Sequence, residues 1–223
     1  MSEADVLARI ELVRGNDLAM TAEKVQRFYR FHACLYDATR WLFLRGRRRA
    51  VERLDLRPDS AVLELGCGTG LNFAHIVSRL DARTGRLAGV DFSEPMLRRA
   101  RRRVAARGWP NVGLLQEDAG IVAIPGRFDA VLFAYSLAMM RDWQGALRNA
   151  AAHLSPGGRL VVLEFGRFDR WGPAGAGVRR WLRWHHVETR RPYVDALRGL
   201  FADVRTEHHL GGYYFIACAR NRA

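Results

Sequence analysis

"VLELGCGTGLN", Val62–Asn72, is the stretch that decides the fold. A short apolar run ends abruptly in three glycines, Gly66, Gly68 and Gly70. Helix-compatible sequence then follows, "GLNFAHIVSRL". Glycines at such spacing permit a tight turn and let a ligand approach the main chain closely. The expected unit is therefore a buried strand, a ligand-binding turn and a helix.

Working outward, the same alternation repeats. "RLAGVD" (86–91), "NVGLLQED" (111–118), "FDAVLFAY" (128–135) and "RLVVLEF" (159–165) read as strands. Between them, "SEPMLRRARRRVAARG" reads as a helix with Ser93 as cap, Glu94 in its first turn and Pro95 near its start, and "WQGALRNAAAHL" as another. "SPGG" (155–158) is a turn leading into the fifth strand. After an interruption at 166–184 come the helix "PYVDALRGLF" and two last strands, "DVRTEHH" and "YYFIACAR". Upstream, residues 21–54 carry helical periodicity. Strands alternating with helices specify a Rossmann-like, doubly wound α/β fold. The expected sheet has seven strands, mostly parallel, with an antiparallel C-terminal hairpin and added N-terminal helices. Residues 1–54 are expected as a helical cap or lid, and 55–223 as the Rossmann-like domain with an insertion at about 166–191.

The acids supply the chemistry. Asp91 ends the second strand, 21 residues after Gly70. A carboxylate there can accept hydrogen bonds from both ribose hydroxyls. Asp118 ends the third strand and could meet an adenine amino group. The loop is G-x-G-x-G and not the dinucleotide pattern. Glu64, just before the first glycine, would repel a pyrophosphate and suits a cationic cofactor better.

Five motifs in order, "ELGCGTG", "GVDFSEPML", "QEDA", "FDAVLFAYSLAMM" and "HLSPGGRLVVLEF", resemble the series of class I S-adenosylmethionine-dependent methyltransferases. The resemblance covers roughly residues 50–165. It implies S-adenosylmethionine as cofactor and S-adenosylhomocysteine as product. It places Glu64, Gly66, Cys67, Gly68 and Gly70 at the amino-acid part of the cofactor, and Asp91 at the ribose. Phe92 and Met96 would lie near the adenine, Asp118 and Ala119 at its edge, and Phe133 and Ala134 beside the methyl group.

The segment "YRFHACLYDATRWLFLRGRRRAV" resembles bacterial methyltransferases of lipid headgroup amines, the betaine-lipid (diacylglyceryl-homoserine) and phosphatidylethanolamine N-methyltransferases. This implies an N-methyltransferase acting on a lipid amine at the membrane surface. An amine must lose a proton before it attacks, and a base such as His32 suits that task. Aromatic faces hold the quaternary product by cation–π attraction, on the order of 0.5–2 kcal/mol each. Tyr29, Tyr36 and Tyr135 are the candidate catalytic aromatics, with Trp41, Tyr213 and Tyr214 as further faces. Tyr29 and Tyr36 also share a helical face, which ordinary core packing explains equally well. Other readings stay open: a soluble small molecule or a quinone as acceptor, or a cofactor-binding protein without catalysis.

The charge balance narrows the partners. The 223 residues carry a formal net charge of +13, and 35 of the 36 basic residues are arginine. Such an excess points to a polyanion, either nucleic acid or an anionic membrane. The fourth strand ends in "FAYSLAM", without the Asn/Asp-Pro-Pro-aromatic motif of base amino methyltransferases, so no specific nucleic acid is expected. In "GVRRWLRWHH", Val178, Trp181, Leu182 and His185 can share one face flanked by Arg179, Arg180 and Arg183, the composition of a membrane-interface helix. "MSEADVLARIELVRG" lacks the pattern of a signal peptide, so a cytoplasmic, peripherally membrane-associated protein is expected. Cys34, Cys67 and Cys218 show neither zinc nor disulfide spacing, and His185–His186 lacks a third ligand, so no metal site is expected.

Overall fold

The structure is a computed structural model, and it describes residues 45–184 and 187–222. The chain divides into two compact units, Met1–Phe43 and Leu44–Ala223, and every described residue belongs to the second. The strands are β1 (Ala61–Leu65), β2 (Arg86–Asp91), β3 (Val112–Gln116), β4 (Phe128–Ala134), β5 (Leu154–Phe165), β6 (Asp203–His209) and β7 (Tyr214–Arg220). The helices are α1 (Arg47–Arg53), α2 (Phe73–Val77), α3 (Glu94–Arg107), α4 (Trp143–His153), α5 (Gly172–Trp184) and α6 (Tyr193–Leu200).

One seven-stranded sheet runs in the order β3-β2-β1-β4-β5-β7-β6. β1 to β5 pair in parallel, while β7 lies antiparallel to both β5 and β6. The expected fold is therefore present. The order reverses beside β1, where β1 is flanked by β2 and β4. In open α/β sheets, ligands bind outside the carboxyl ends of the strands at such a switch point.

Both faces of the sheet are covered. Leu63, Val131, Val162 and Ala217 join one buried cluster with Leu147 and Leu197. Their chain neighbours Val62, Leu132, Val161 and Ile216 join the opposite cluster with Val51, Phe73 and Leu97. The two-residue strand period sends successive side chains to opposite faces, so near-continuous apolar strands are what a doubly covered sheet requires. Complete burial of Phe73, Phe128 and Phe133 contributes about 1.5–3 kcal/mol each.

Four local differences from the expectations have physical causes. α1 packs Ala50 and Val51 into the second cluster, so this helix belongs to the sheet unit and not with residues 1–43. The helix after the glycines is only Phe73–Val77. β5 begins at Leu154, but between Phe128↔Leu154 and Ala130↔Arg159 the register shifts, so "SPGG" bulges out as the expected turn within a longer strand. The helix read from "GVRRWLRWHH" is present as α5, and it starts earlier, at Gly172, in glycine- and proline-containing sequence that reads as loop.

Candidate active site

The site forms where β1, β2 and β4 end. Gly66, Gly68 and Gly70 have φ of 72°, 56° and 74°, a region that favours glycine. The amides of Gly66 and Cys67 both donate to the Val90 carbonyl, at 2.8 and 2.9 Å, fixing the loop to β2. A Cβ on Gly66 would lie 2.5 Å from that of Ser136, so the loop touches the segment after β4. Ser136 in turn donates through Oγ to the Leu65 carbonyl at 2.9 Å. A Cβ on Gly68 would meet nothing within 4 Å, so the main chain there borders open space.

Asp91 organises two of the loops. Its Oδ2 accepts from the Gly68 amide at 2.7 Å and its Oδ1 from the Ser93 amide at 2.8 Å. It thus ties the glycine turn to the start of α3. Arg103 on α3 adds a second tie, donating to the Thr69 carbonyl at 2.7 Å.

Behind the loop lies a buried polar cluster. Glu64 is 1% exposed and accepts through Oε1 from Asn72 Nδ2 at 2.5 Å. The Asn72 Oδ1 accepts from the Arg47 guanidinium at 2.9 Å. Burial pushes the Glu64 carboxyl up to about 7, with the Asn72 hydrogen bond and Arg47 opposing it. Burial lowers the Arg47 guanidinium from its ordinary value, with Glu64 opposing. Among the described residues, Glu64 Oε2 and Arg47 Nε are buried without hydrogen-bond partners. Unmatched buried polar atoms are costly and mark ligand positions. An acid and a base left open side by side match the ammonium and carboxylate of an amino-acid group. That is the fit S-adenosylmethionine requires.

The other expected residues stand after β2 and β3, in the first turn of α3 and at the end of β4. Met96 and Ala119 are buried and Phe92 is 42% exposed. Asp118 is exposed, and its Oδ1 accepts from the Gly120 amide at 2.7 Å. Asn149 on α4 anchors that loop, donating to the carbonyls of Ala119 and Val122 at 2.9 Å each. Phe133 and Ala134 are buried at the end of β4. Tyr29, His32, Tyr36 and Trp41 lie outside the described residues, as do His185 and His186.

Tyr135 has φ of 58°, an unusual conformation for a bulky residue. Its hydroxyl donates to the Arg45 carbonyl at 2.7 Å, and the Arg47 guanidinium lies 5.5 Å from its ring centroid. Burial raises its phenol. This tyrosine holds the segment that carries Arg47.

Arg47, Asn72 and Glu164 were not expected here, and Arg191 was expected only among the basic residues after the fifth strand. Glu164 is fully buried, and its carboxylate accepts from the amides of Ala138 at 3.1 Å and Phe165 at 3.3 Å. Arg191 donates to the carbonyls of Leu137 and Met140 at 2.9 and 2.7 Å. Together they fix the turn after β4 that abuts Gly66. An acid inside the apolar run "VVLEF" was the available signal. Arg47 carried no such signal, because it stands in the run "RGRRR".

Comparison with known proteins agrees with this geometry. Residues 62–158 match a family described as a methyltransferase domain. A demethylmenaquinone methyltransferase of Thermus thermophilus is 42% identical over 123 residues, covering 55% of this chain and 54% of that protein. A ubiquinone/menaquinone biosynthesis C-methyltransferase UbiE of Pseudomonas fluorescens is 35% identical over 156 residues, covering 66% of this chain and 59% of that protein. The chain thus spans somewhat over half the length of these curated relatives. The crystal structure of the N-methyltransferase NodS from Bradyrhizobium japonicum with S-adenosyl-l-homocysteine superposes with a TM-score of 0.63 at 24% identity, covering 81% of this chain and 88% of that one. At that identity the likeness concerns the fold alone. Residues 62–158 thus match a methyltransferase-domain family, and the strand order and the buried acid–base pair agree with S-adenosylmethionine as the cofactor.

Proposed function

We propose that the protein transfers a methyl group from S-adenosylmethionine to a ring carbon of a reduced quinone. The observation that carries this reading is the 42% identity to a demethylmenaquinone methyltransferase, with the match to a quinone-biosynthesis C-methyltransferase beside it. The expected lipid-amine acceptor gives way to it. That expectation rested on Tyr29–Val51, most of which lies outside the described residues. The similarity to N-methyltransferase structures is one of fold.

When bound, the cofactor supplies an electrophilic methyl on a sulfonium. The chain's task is alignment and exclusion of water. Glu64 and Arg47 would hold the amino-acid end, Asp91 the ribose, and the Phe92, Met96 and Asp118 region the adenine. A quinone carbon is itself electron-poor, so the acceptor must be the reduced, hydroxyl-bearing ring. Bound at this site, the cofactor would supply the methyl for a new C–C bond to the ring carbon, with the C–S bonding pair kept by the sulfur of the leaving S-adenosylhomocysteine. The ring carbon then loses its proton to a base, which restores aromaticity. His32 is the residue we would test first in that role.

Purified protein is to be incubated with S-adenosylmethionine and demethylmenaquinone, with and without a chemical reductant. Methylated product only under reduction is expected. Equal product from the oxidised ring, or none in either state despite cofactor binding, would reject the quinol-carbon reading.

A further inference from the structure

We infer that α5 is a docking surface for an anionic lipid bilayer. The helix spans Gly172–Trp184. Gly175 and Leu182 are its buried residues, and Gly175 lies against Phe168 and Trp171. On the outward side Trp181 is 51% and Trp184 80% exposed. At 100° per residue Trp184 lies near Arg180 and Gly177, with Trp181 beside them. Arg180 and Arg183 are exposed, and no acidic residue occurs between Arg170 and Val187. Just before the helix Trp171 is 40% exposed, and it donates through Nε1 to the carbonyl of Leu210, itself 55% exposed.

The surroundings separate this cluster from several other arginines. Arg98 and Arg101 pair with Glu94, Arg48 with Glu52, and Arg53 with Glu207. Arg47, Arg103 and Arg191 are committed to the site. Among the described residues, Arg180 and Arg183 have no carboxylate within ion-pair distance. Indole rings favour the headgroup region, and arginines beside them favour anionic lipid. Charge complementarity thus selects a bilayer containing anionic lipid as the partner. α5 follows directly on β5, whose carboxyl end borders the site, so docking there would bring the site to the surface that holds apolar acceptors. The inference stands on the helix surface and holds whichever acceptor is methylated.

The test is flotation of the full chain with vesicles of phosphatidylcholine alone or with phosphatidylglycerol at physiological salt. Binding only to the phosphatidylglycerol vesicles is expected. Arg180→Ala with Arg183→Ala should weaken it about thirtyfold, from about 1 kcal/mol per basic residue near an anionic surface. Trp181→Ala with Trp184→Ala should weaken it by at least about tenfold. Arg98→Ala with Arg102→Ala, on α3, should change it less than about threefold. Thermal melts and cofactor affinity, unchanged in all three double variants, exclude misfolding. Equal loss from the α3 pair would overturn the inference in favour of nonspecific charge. Wild-type binding by both α5 pairs would overturn it too. A dimer in sedimentation that dissociates in the tryptophan pair would replace the bilayer with a second copy of the chain.

Discussion

Asp91 joins a structural role to the place where a ribose is expected. It accepts from two backbone amides, those of Gly68 and Ser93, and still ends the strand where a ribose would lie. Hydrogen bonds to a charged group contribute about 1.5–3 kcal/mol. Asp91→Ala should therefore weaken S-adenosylmethionine binding by about a hundredfold or more, as measured by calorimetry, with the fold retained. Glu64 adds a pH dependence. Its carboxyl titrates at about 7 because it is buried. To hold a cofactor ammonium it must be ionised, so cofactor affinity should fall as pH drops below about 7, approaching tenfold per unit. Calorimetry at several pH values checks this, and Glu64→Gln should both weaken binding and flatten the profile. Asp91 and Glu64 were legible because their spacing from the glycines fixes their positions. Arg47 was not legible, since its role depends on a 25-residue separation from Asn72 that only folding closes.

Among the elements, the turn after β4 carries the next prediction. Glu164 at the end of β5 and Arg191 before α6 hold it from two sides. Burial raises the Glu164 carboxyl from 4.5 to about 7, against its backbone hydrogen bonds. The native state then binds more protons than the unfolded chain between those values. Stability from this group is therefore lost as pH rises from about 4.5 to about 7, and stays level above. Glu164→Gln removes that slope. Its stability relative to wild type should rise across the window by up to on the order of 3 kcal/mol, as denaturant titrations would show. Gly66→Ala tests the other wall. A methyl there meets Ser136 at 2.5 Å with φ at 72°, so cofactor binding should be lost and the melting temperature lowered. The order of strands and helices was legible because apolar runs alternate with amphipathic ones. The bounds of α2 and the start of α5 were not. The first is cut short by the turn geometry that follows Gly70, and the second starts in glycine and proline, which ordinarily signal loops.

At the scale of the molecule, a cofactor held across the loops after β1, β2, β3 and β4 would stabilise the described unit as a whole. Saturation at about a hundredfold over Kd contributes about 2.7 kcal/mol. For a chain of this size that should raise Tm by roughly 5–10 °C in a thermal melt. Among the described residues no helix is long and apolar enough to cross a membrane. The acceptor was the part least legible in the sequence. The cofactor half is written in short, contiguous motifs, whereas acceptor choice depends on side chains brought together from distant segments, Tyr29, His32 and Tyr36 among the candidates. The most direct measurement offers both acceptors at once: vesicles holding reduced demethylmenaquinone and phosphatidylethanolamine, methyl-labelled S-adenosylmethionine, and the label located by chromatography and mass spectrometry. The account predicts label on the quinone ring carbon. Label on the lipid amine, with the quinone unlabelled, would contradict it.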